Sequence, residues 1–510
     1  MRGKAALLTC VIAAAMVVPV STATAAVDDV NTTKLRQAVT VNGILGHERA
    51  LQRIANQNGG TRAAGTPGYA KSVDYVTSTL RQAGYSVRKQ VFDFPFYQEV
   101  GPSTLTLTGQ PNVVIESATL EYSGDGDVTG TLVPAINNVI PATPTPSSSA
   151  GCLPSDFIPA SATEPQVALI QRGTCTFEEK VNNAVAAGYD AVVVFSEGQP
   201  GRDALLTGVT IGAIVPIPVV GISYADGVAL TAAATPGPAS VTVHTDTFSE
   251  IRPTTNVIAD SKKGDPNKVV VVGAHLDSVL DGPGINDNGS GTAVNLETAV
   301  QIAKLKLVPT QKLRFAFWGA EEAGLLGSEH YVENLSDVEL RKIYANLNFD
   351  MLGSPNYVRF VYDGDGSSKG VAGPPGSAQI EQIFNGYFEG QGLATEPTAF
   401  DGRSDYGPFI AAGIPAGGLF SGAEDIKTAE EAAVYGGTAG APYDSCYHQG
   451  CDDITNLSTQ ALYELGDAAV HATWTLAKSK GGLFEDNSRM AARQAISADQ
   501  FDYRGSHLIR

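Results

Sequence analysis

Residues Lys268–Glu297 read KVVVVGAHLDSVLDGPGINDNGSGTAVNLE, and the order of residue types in this stretch decides the fold class. Val269–Val272 is an unbroken β-branched run, the pattern of a strand covered on both faces in a parallel sheet. His275 and Asp277 follow two residues apart, so in an extended segment their side chains point the same way. Asp287 comes ten residues later, between Asn286 and Asn288 and among glycines. From Ala293 to Lys306 the residues Val294, Leu296, Ala299, Ile302, Ala303 and Leu305 recur at helical spacing. Strand, polar loop and helix in succession form the α/β unit whose ligand sites lie beyond the carboxyl ends of the strands. A histidine and two aspartates there are candidate ligands for a hard or borderline divalent cation. Each residue alone has a blander reading, a hydrogen-bonded loop histidine or a turn-forming aspartate.

The rest of the chain bears on that choice. At 510 residues it exceeds what one core usually fills, which predicts two domains. With 43% hydrophobic and 17% charged residues it is globular rather than disordered. A formal net charge of −19 excludes a nucleic-acid partner, because an acidic surface repels a polyanion. Arg2 and Lys4, the apolar run Ala5–Val20 and the small residues Ala23-Thr24-Ala25 predict an export signal over residues 1–25. The run is too short for a stable membrane anchor. The chain is therefore expected outside the cell, as a secreted monomer. Loss of Cys10 with the signal leaves Cys152, Cys175, Cys446 and Cys451, an even number in an oxidising compartment. Of the three ways to pair them, joining near neighbours (Cys152 with Cys175, Cys446 with Cys451) is the simplest.

Residues 27–98 carry two helical patterns, around His47–Asn58 and Gly68–Ala83, and then an alternating strand over Ser86–Phe96. After Gly101 the composition shifts to short strands, Thr104–Thr108, Ala118–Tyr122 and Gly130–Val133, broken by Gly, Pro, Asp and Ser. Ile170-Gln171-Arg172-Gly173, Cys175–Phe177, Lys180, Asn182, Ala184, Ala187-Gly188 and Val215-Pro216-Ile217-Pro218 resemble the protease-associated domain, a small β-rich module of exported peptidases. Such modules have no catalytic residues of their own. His244, in its last strand, reads as structural.

The α/β pattern resumes at Thr255. The run Lys312–Trp318 predicts a strand that delivers Gly319-Ala320-Glu321-Glu322, and Ala345–Phe349 predicts another that delivers Asp350. Turn chemistry does not explain acids and a histidine gathered at three strand ends. A two-metal hydrolase does. Asp287 can bridge two ions, Glu322 and Asp350 can each serve one, and His275 supplies an imidazole. One of the adjacent glutamates would remain off the metals and take a proton from the attacking water. Of seven histidines, His448 is the best second imidazole, because a Cys446–Cys451 bridge would hold its loop rigid. His330, on the helix expected after the glutamates, suits packing better. Asp277 is then free to orient His275.

Gly273–Ser278, Gly284–Gly291, Trp318–Glu322, Asn348–Met351 and the His448 loop together resemble the exported zinc aminopeptidases of peptidase family M28. The resemblance covers about residues 29–98 and 255–479 and implies the fold, a mostly parallel, mixed central sheet flanked by helices. It implies two Zn²⁺ per chain, with His275, Asp287 and Glu322 on one ion and Asp350, Asp287 and His448 on the other. It makes Glu321 the general base, Asp277 the orienting acid and Tyr447 a donor to the oxyanion. Arg403, Met351 and Phe420 are implied in substrate binding, although a surface salt bridge rivals that role for Arg403 and core packing for the other two. The implied activity is removal of large apolar residues from peptide or protein N-termini. Carboxypeptidase or glutaminyl cyclase activity and a non-catalytic binding protein are the alternatives. The expected organisation is a catalytic part at 27–115, the inserted module at 116–250, a second catalytic part at 251–480 and a tail of unknown role at 481–510.

Overall fold

A computed structural model describes residues 30–235, 237–480 and 483–484. The expected export signal lies outside the described residues, and so does the tail beyond Lys480 apart from Leu483 and Phe484.

The β-branched run lies in strand Asp265–His275, with Val270–Val272 fully buried. It pairs in parallel with Gln311–Trp318 on one side and Ile343–Phe349 on the other. A central strand of this kind faces apolar layers above and below, which is why no polar residue interrupts the run. Ile343–Phe349 pairs in parallel with Ala416–Phe420, which meets Phe360–Tyr362 antiparallel. On the opposite flank Gln311–Trp318 runs antiparallel to Ser240–Asp260. The mixed, mostly parallel sheet expected from the sequence is therefore present.

Helices cover both faces. Gly291–Lys304, Ser377–Gly390 and Thr459–Lys478 bury Leu296, Ala299, Ile380, Phe384, Leu465 and Ala469 in the main core. The N-terminal helices Val41–Gln57 and Pro67–Gln82 add Leu51, Val73 and Val76 to it. Each begins at a threonine, Thr40 or Thr66, whose hydroxyl accepts an otherwise unpaired amide of the first turn. On the other face Leu326–Glu333 brings Tyr331 against Trp318 and Phe409. Its His330 stacks on Phe92 at 4.7 Å, the packing role expected for it. Leu483 joins the main core and Phe484 packs edge-on against Tyr344, so the start of the tail belongs to the catalytic body.

The inserted module differs from its expected form at its junction with the catalytic sheet. The short strand read at Thr104–Thr108 is the end of one long strand, Ser86–Thr108, which pairs antiparallel with Ser240–Asp260. This ladder runs from the catalytic sheet into the module, with register shifts only between Glu99 and Thr104. Residue 250, expected as a domain edge, lies inside the ladder. Side chains change partners there while backbone pairing continues, with Leu105, Val241 and Val243 facing the module's own core. The composition shift after Gly101 records that change of core rather than a linker. The module is β-rich as expected, and its strands Gly126–Pro134, Gln166–Gln171, Ala191–Phe195 and Val219–Ile222 pair in parallel, with helix Phe177–Ala186 between the second and third and helix Tyr224–Ala234 after the fourth. His244 pairs with Asp127 at 2.9 Å on an exposed strand face, consistent with a structural role. Both near-neighbour disulfides are formed, Cys152–Cys175 and Cys446–Cys451.

Candidate metal centre

Three neighbouring parallel strands end level with one another. Trp318 is in register with His275, and Asn348 with Gly273, so the turns leaving the three strands share one edge of the sheet. The first strand places His275 itself. The turn after Trp318 places Glu321 and Glu322, and it is held tightly. A Cβ on Gly319 would lie 2.2 Å from the Tyr69 hydroxyl, so only glycine fits there. Asp277, fully buried, accepts the Glu321 amide on Oδ1 and the Glu322 amide on Oδ2, each at 3.3 Å. Asp350 follows the third strand directly, and its Oδ2 accepts the Ser404 hydroxyl at 2.6 Å. Ser404 in turn accepts from Asn348 Nδ2 at 2.7 Å. Asp287 lies in the tight turn Ile285–Ser290 before the first long helix, with a cis peptide to Asn288. Asp452 fixes that turn by accepting the amides of Asn286 and Asp287 at 2.8 and 2.9 Å. His448 arrives from the Cys446–Cys451 loop with a left-handed backbone, φ +57°.

The side chains converge on Asp287. His275 Nε2 lies 3.2 Å from Asp287 Oδ1 and 3.2 Å from Asp350 Oδ1. His448 Nε2 lies 3.3 Å from Asp287 Oδ2 and 3.1 Å from Glu322 Oε2. Asp287 thus offers one oxygen to each imidazole, as a bridging carboxylate would. This partition differs from the one the family resemblance implied: His275 is grouped with Asp350, and His448 with Glu322. The physical reason is position. The strands leading to Glu322 and to Asp350 both flank that of His275, and the disulfide loop brings His448 in beside Glu322, leaving Asp350 to His275. Glu321 Oε2 is set back from the same cluster, 3.8 Å from His275 Nε2.

Asp277 is also placed differently from expectation. The atom that His275 Nδ1 reaches at 3.2 Å is the Asp277 backbone oxygen, while the carboxylate lies 3.7 Å away. The carboxylate faces the two glutamate amides instead, so Asp277 orients three residues of the centre.

The electrostatics show what the centre lacks. Burial acts to lower the His275 pKa, but Glu321 and Asp350 outweigh it and hold the imidazole well above its ordinary value. His448 is likewise opposed by burial, yet Glu322 and Asp287 push it up to about 11. Burial lifts Glu321 well above the usual carboxylate range, with His275 opposing and Asp405, Asp350 and Glu322 reinforcing. Glu322 is raised by burial too, against the pull of His448. Asp287 is driven below its ordinary range by its hydrogen bonds to both imidazoles, which overcome burial. No lysine or arginine among the described residues lies within ion-pair distance of these four acids. Glu322 Oε1 has no hydrogen-bond partner. Four crowded carboxylates, two imidazoles and an unmet oxygen fit divalent cations with mixed N/O ligands, which is zinc chemistry.

The implied substrate residues fall into two groups. Arg403 Nη2 donates to the Tyr447 hydroxyl at 3.2 Å, and Tyr447 stacks on His448 with ring centroids 3.8 Å apart. Arg403 also makes the salt bridge that rivalled a binding role, to Glu424 at 2.9 Å, so it ties Tyr447 to the rim. Phe420 is half-buried and stacks on Phe360, while Met351 is buried with φ +49°.

Several supporting residues escaped the sequence reading. Arg62 is buried and donates to the Leu276, Pro283 and Gly284 carbonyls, clamping the loop between His275 and Asp287. Asp405 lies buried near His275 and Asp350, its carboxyl pushed up to about 8, chiefly by burial. Asp452 is raised to about 7 by burial. The one available signal was proximity in sequence: Ser404 and Asp405 adjoin Arg403, and Asp452 adjoins Cys451.

Comparison with known proteins bears on the family. Residues 256–473 match peptidase family M28 and residues 128–230 match the PA domain. An aminopeptidase of Pseudomonas aeruginosa is 46% identical over 472 residues, 91% of this chain and 85% of that protein. A probable leucine aminopeptidase 2 of Aspergillus fumigatus is 41% identical, covering 82% of this chain and 79% of its own. Among solved structures, the aminopeptidase from Aneurinibacillus sp. strain AM-1 superposes with a TM-score of 0.68 at 27% identity, covering 88% of this chain and 96% of that one. A zinc aminopeptidase from Bacillus subtilis gives a TM-score of 0.58 at 26% identity, covering 91% and 98%. The chain belongs to peptidase family M28 and carries an inserted PA domain. Within that family it is a zinc-dependent aminopeptidase.

Proposed function

We propose that the chain is a secreted di-zinc aminopeptidase that removes large apolar, leucine-like residues from the N-termini of peptides. The observation that carries the two-ion reading is the bridging position of Asp287, with one oxygen toward His275 and the other toward His448. His275 and Asp350 would hold one ion, His448 and Glu322 the other, and Asp287 both. Bound zinc lowers the pKa of water and polarises a carbonyl oxygen. Glu321, set back from the imidazoles, accepts the proton of the attacking water and passes it to the leaving amine. Asp277 holds the Glu321 and Glu322 amides and so fixes the direction of both side chains. The Tyr447 hydroxyl, backed by Arg403, donates to the oxyanion as it develops. Met351 and Phe420 are assigned to the pocket for the substrate's apolar side chain.

The leucine preference draws support from the relative in Aspergillus fumigatus, and secretion from the two disulfides, which persist in oxidising compartments. No described helix is long and apolar enough to cross a membrane. A panel of aminoacyl anilides, assayed on zinc-loaded protein with metal content determined, tests the reading. Two zinc ions per chain and fastest cleavage of the leucyl substrate are expected. One ion per chain, or cyclisation of N-terminal glutamine in place of hydrolysis, would reject it.

A further inference from the structure

Two buried acids outside the proposed ligand set meet behind Asp287. Asp444 and Asp452 are each 2% exposed. Every lysine and arginine ion pair among the described residues goes to some other acid. What joins the two is Asn456. Its Nδ2 donates to Asp444 Oδ1 and Oδ2 at 2.9 and 3.0 Å and to Asp452 Oδ1 at 3.2 Å. An amide nitrogen carries two protons, so one serves each carboxylate. The reverse orientation would set the amide oxygen against both carboxylates, so charge decides which way the group faces.

The two acids hold different parts of the zinc centre. Asp452 accepts the Asn286 and Asp287 amides through its side chain and the Ile285 amide, at 3.0 Å, through its backbone oxygen. Asp444 Oδ1 accepts the Cys446 amide at 2.8 Å, at the entry to the disulfide loop that carries His448. Its Oδ2 accepts Asn286 Nδ2 at 2.6 Å. The turn that carries Asp287 and the loop that carries His448 therefore share one polar joint. They also pack closely: a Cβ on Gly282 would lie 2.3 Å from the Gln449 carbonyl oxygen. Asn456 stands on a firm base, three residues before helix Thr459–Lys478, where the Ser458 amide donates to the Gly353 carbonyl at 2.8 Å.

We propose that Asn456 is a positioning residue of the zinc centre, setting the His448 loop against the Asp287 turn and so placing the second ion. This rests on the di-zinc reading above. Asn456 acts through Asp444 and Asp452 on a ligand that packing holds least. The His448 side chain is 36% exposed, against 12% or less for His275, Asp287, Glu322 and Asp350. Its aim therefore depends on the anchor of its loop. Without the shared donor, two buried carboxylates are left facing each other, and the joint opens.

The test compares Asn456→Ala, Asp444→Asn and His448→Ala with the wild type, as full chains, by zinc titration in a metal buffer. The wild type should bind two ions. In Asn456→Ala and Asp444→Asn one ion should weaken by ~10–100-fold, the range for an outer partner of a ligand, while the other keeps its affinity. Cobalt(II) in place of zinc identifies the ion: the visible bands missing from Asn456→Ala should be those missing from His448→Ala. Circular dichroism of the metal-free chain should be unchanged. Equal weakening of both ions, the mark of general loosening, would overturn the proposal, as would wild-type affinity for both ions in both variants. Asp444→Asn keeps an acceptor for the Cys446 amide but loses the one for Asn286, so it decides by the same criteria should Asn456→Ala not fold. A single zinc in the wild type would reject the di-zinc reading itself, and the proposal with it.

Discussion

Glu321→Gln separates proton transfer from metal binding at this centre. The glutamine keeps the side chain's length and can still hydrogen-bond, but it cannot accept a proton at pH 7. Glu321 is 8% exposed, and its Oε2 lies 3.8 Å from His275 Nε2, against 3.1–3.3 Å for the imidazole–carboxylate contacts of the proposed ligands. Its backbone is held by Asp277 through the amide, a contact the substitution does not touch. Removing the charge also relieves repulsion with Asp350, Asp405 and Glu322, so the cluster should not collapse. Base catalysis contributes ~10²–10⁴-fold, or ~2.7–5.4 kcal/mol of barrier. Turnover on leucyl anilide should therefore fall by that factor with KM little changed and zinc still at two per chain. Glu322→Gln is the control: it removes a carboxylate 3.1 Å from His448, so metal analysis should show zinc lost from one site. If Glu321→Gln loses zinc while Glu322→Gln keeps it and loses rate alone, the two roles are exchanged. Near-wild-type rates in both variants would remove both residues from the mechanism.

Other outcomes follow from the contacts around the centre. Asp277→Asn leaves one acceptor for two amides, so kcat and zinc affinity should both drop, the latter by ~10–100-fold in a metal titration. Reduction of Cys446–Cys451 frees the loop that aims His448 and Tyr447, and should lower zinc content while circular dichroism is unchanged; full zinc content and rate with both thiols free would deny the bridge that role. Because both imidazoles are held above their ordinary pKa, they carry protons at pH 7 in the metal-free chain, whereas zinc takes the neutral ring. Zinc binding should then release about two protons per chain, seen by calorimetry in buffers of different ionisation enthalpy, and apparent affinity should keep rising with pH toward about 11, where His448 deprotonates unaided. Arg62→Met leaves three buried loop carbonyls without a donor, and should cost about 3 kcal/mol or more in denaturant unfolding.

The centre was legible where chemistry sits at the end of a recognisable strand. Val269–Val272 and Phe315–Trp318 are buried on both faces, so their composition alone marks them, and His275, Glu321 and Glu322 follow by position. Asp350 follows Phe349 in the same way. The supporting residues had no such marker. Arg62 comes from a glycine-rich loop more than two hundred residues before the carbonyls it clamps, and nothing local in Gly59-Gly60-Thr61-Arg62 separates a buried clamp from a solvated turn. Asp405 and Asp452 become buried only through long-range packing, which composition does not encode. The long ladder was missed for the opposite reason. Ser86–Thr108 changes the core it faces halfway along, and a change in side-chain pattern reads as a break even where the backbone continues.

The division of ligands between two ions shows most clearly what a sequence withholds. The side chains can be named from strand ends and one disulfide loop, because each sits at a local landmark. Which imidazole joins which acid depends on the side from which residues 446–451 cross Asp287, a matter of tertiary path alone. Strand adjacency does not decide it for His275, whose strand has the Glu322 and Asp350 strands on either side; the 3.2 Å contact of its Nε2 with Asp350 Oδ1 does. His448 then falls to Glu322, at 3.1 Å, across the opposite oxygen of Asp287. In the proposed di-zinc centre, Asp350 on the His275 side and Glu322 on the His448 side would give each ion one imidazole, one unshared carboxylate and one oxygen of Asp287. In that reading Glu321, 3.8 Å from His275, would take no part in the ligation and would be free to carry a proton.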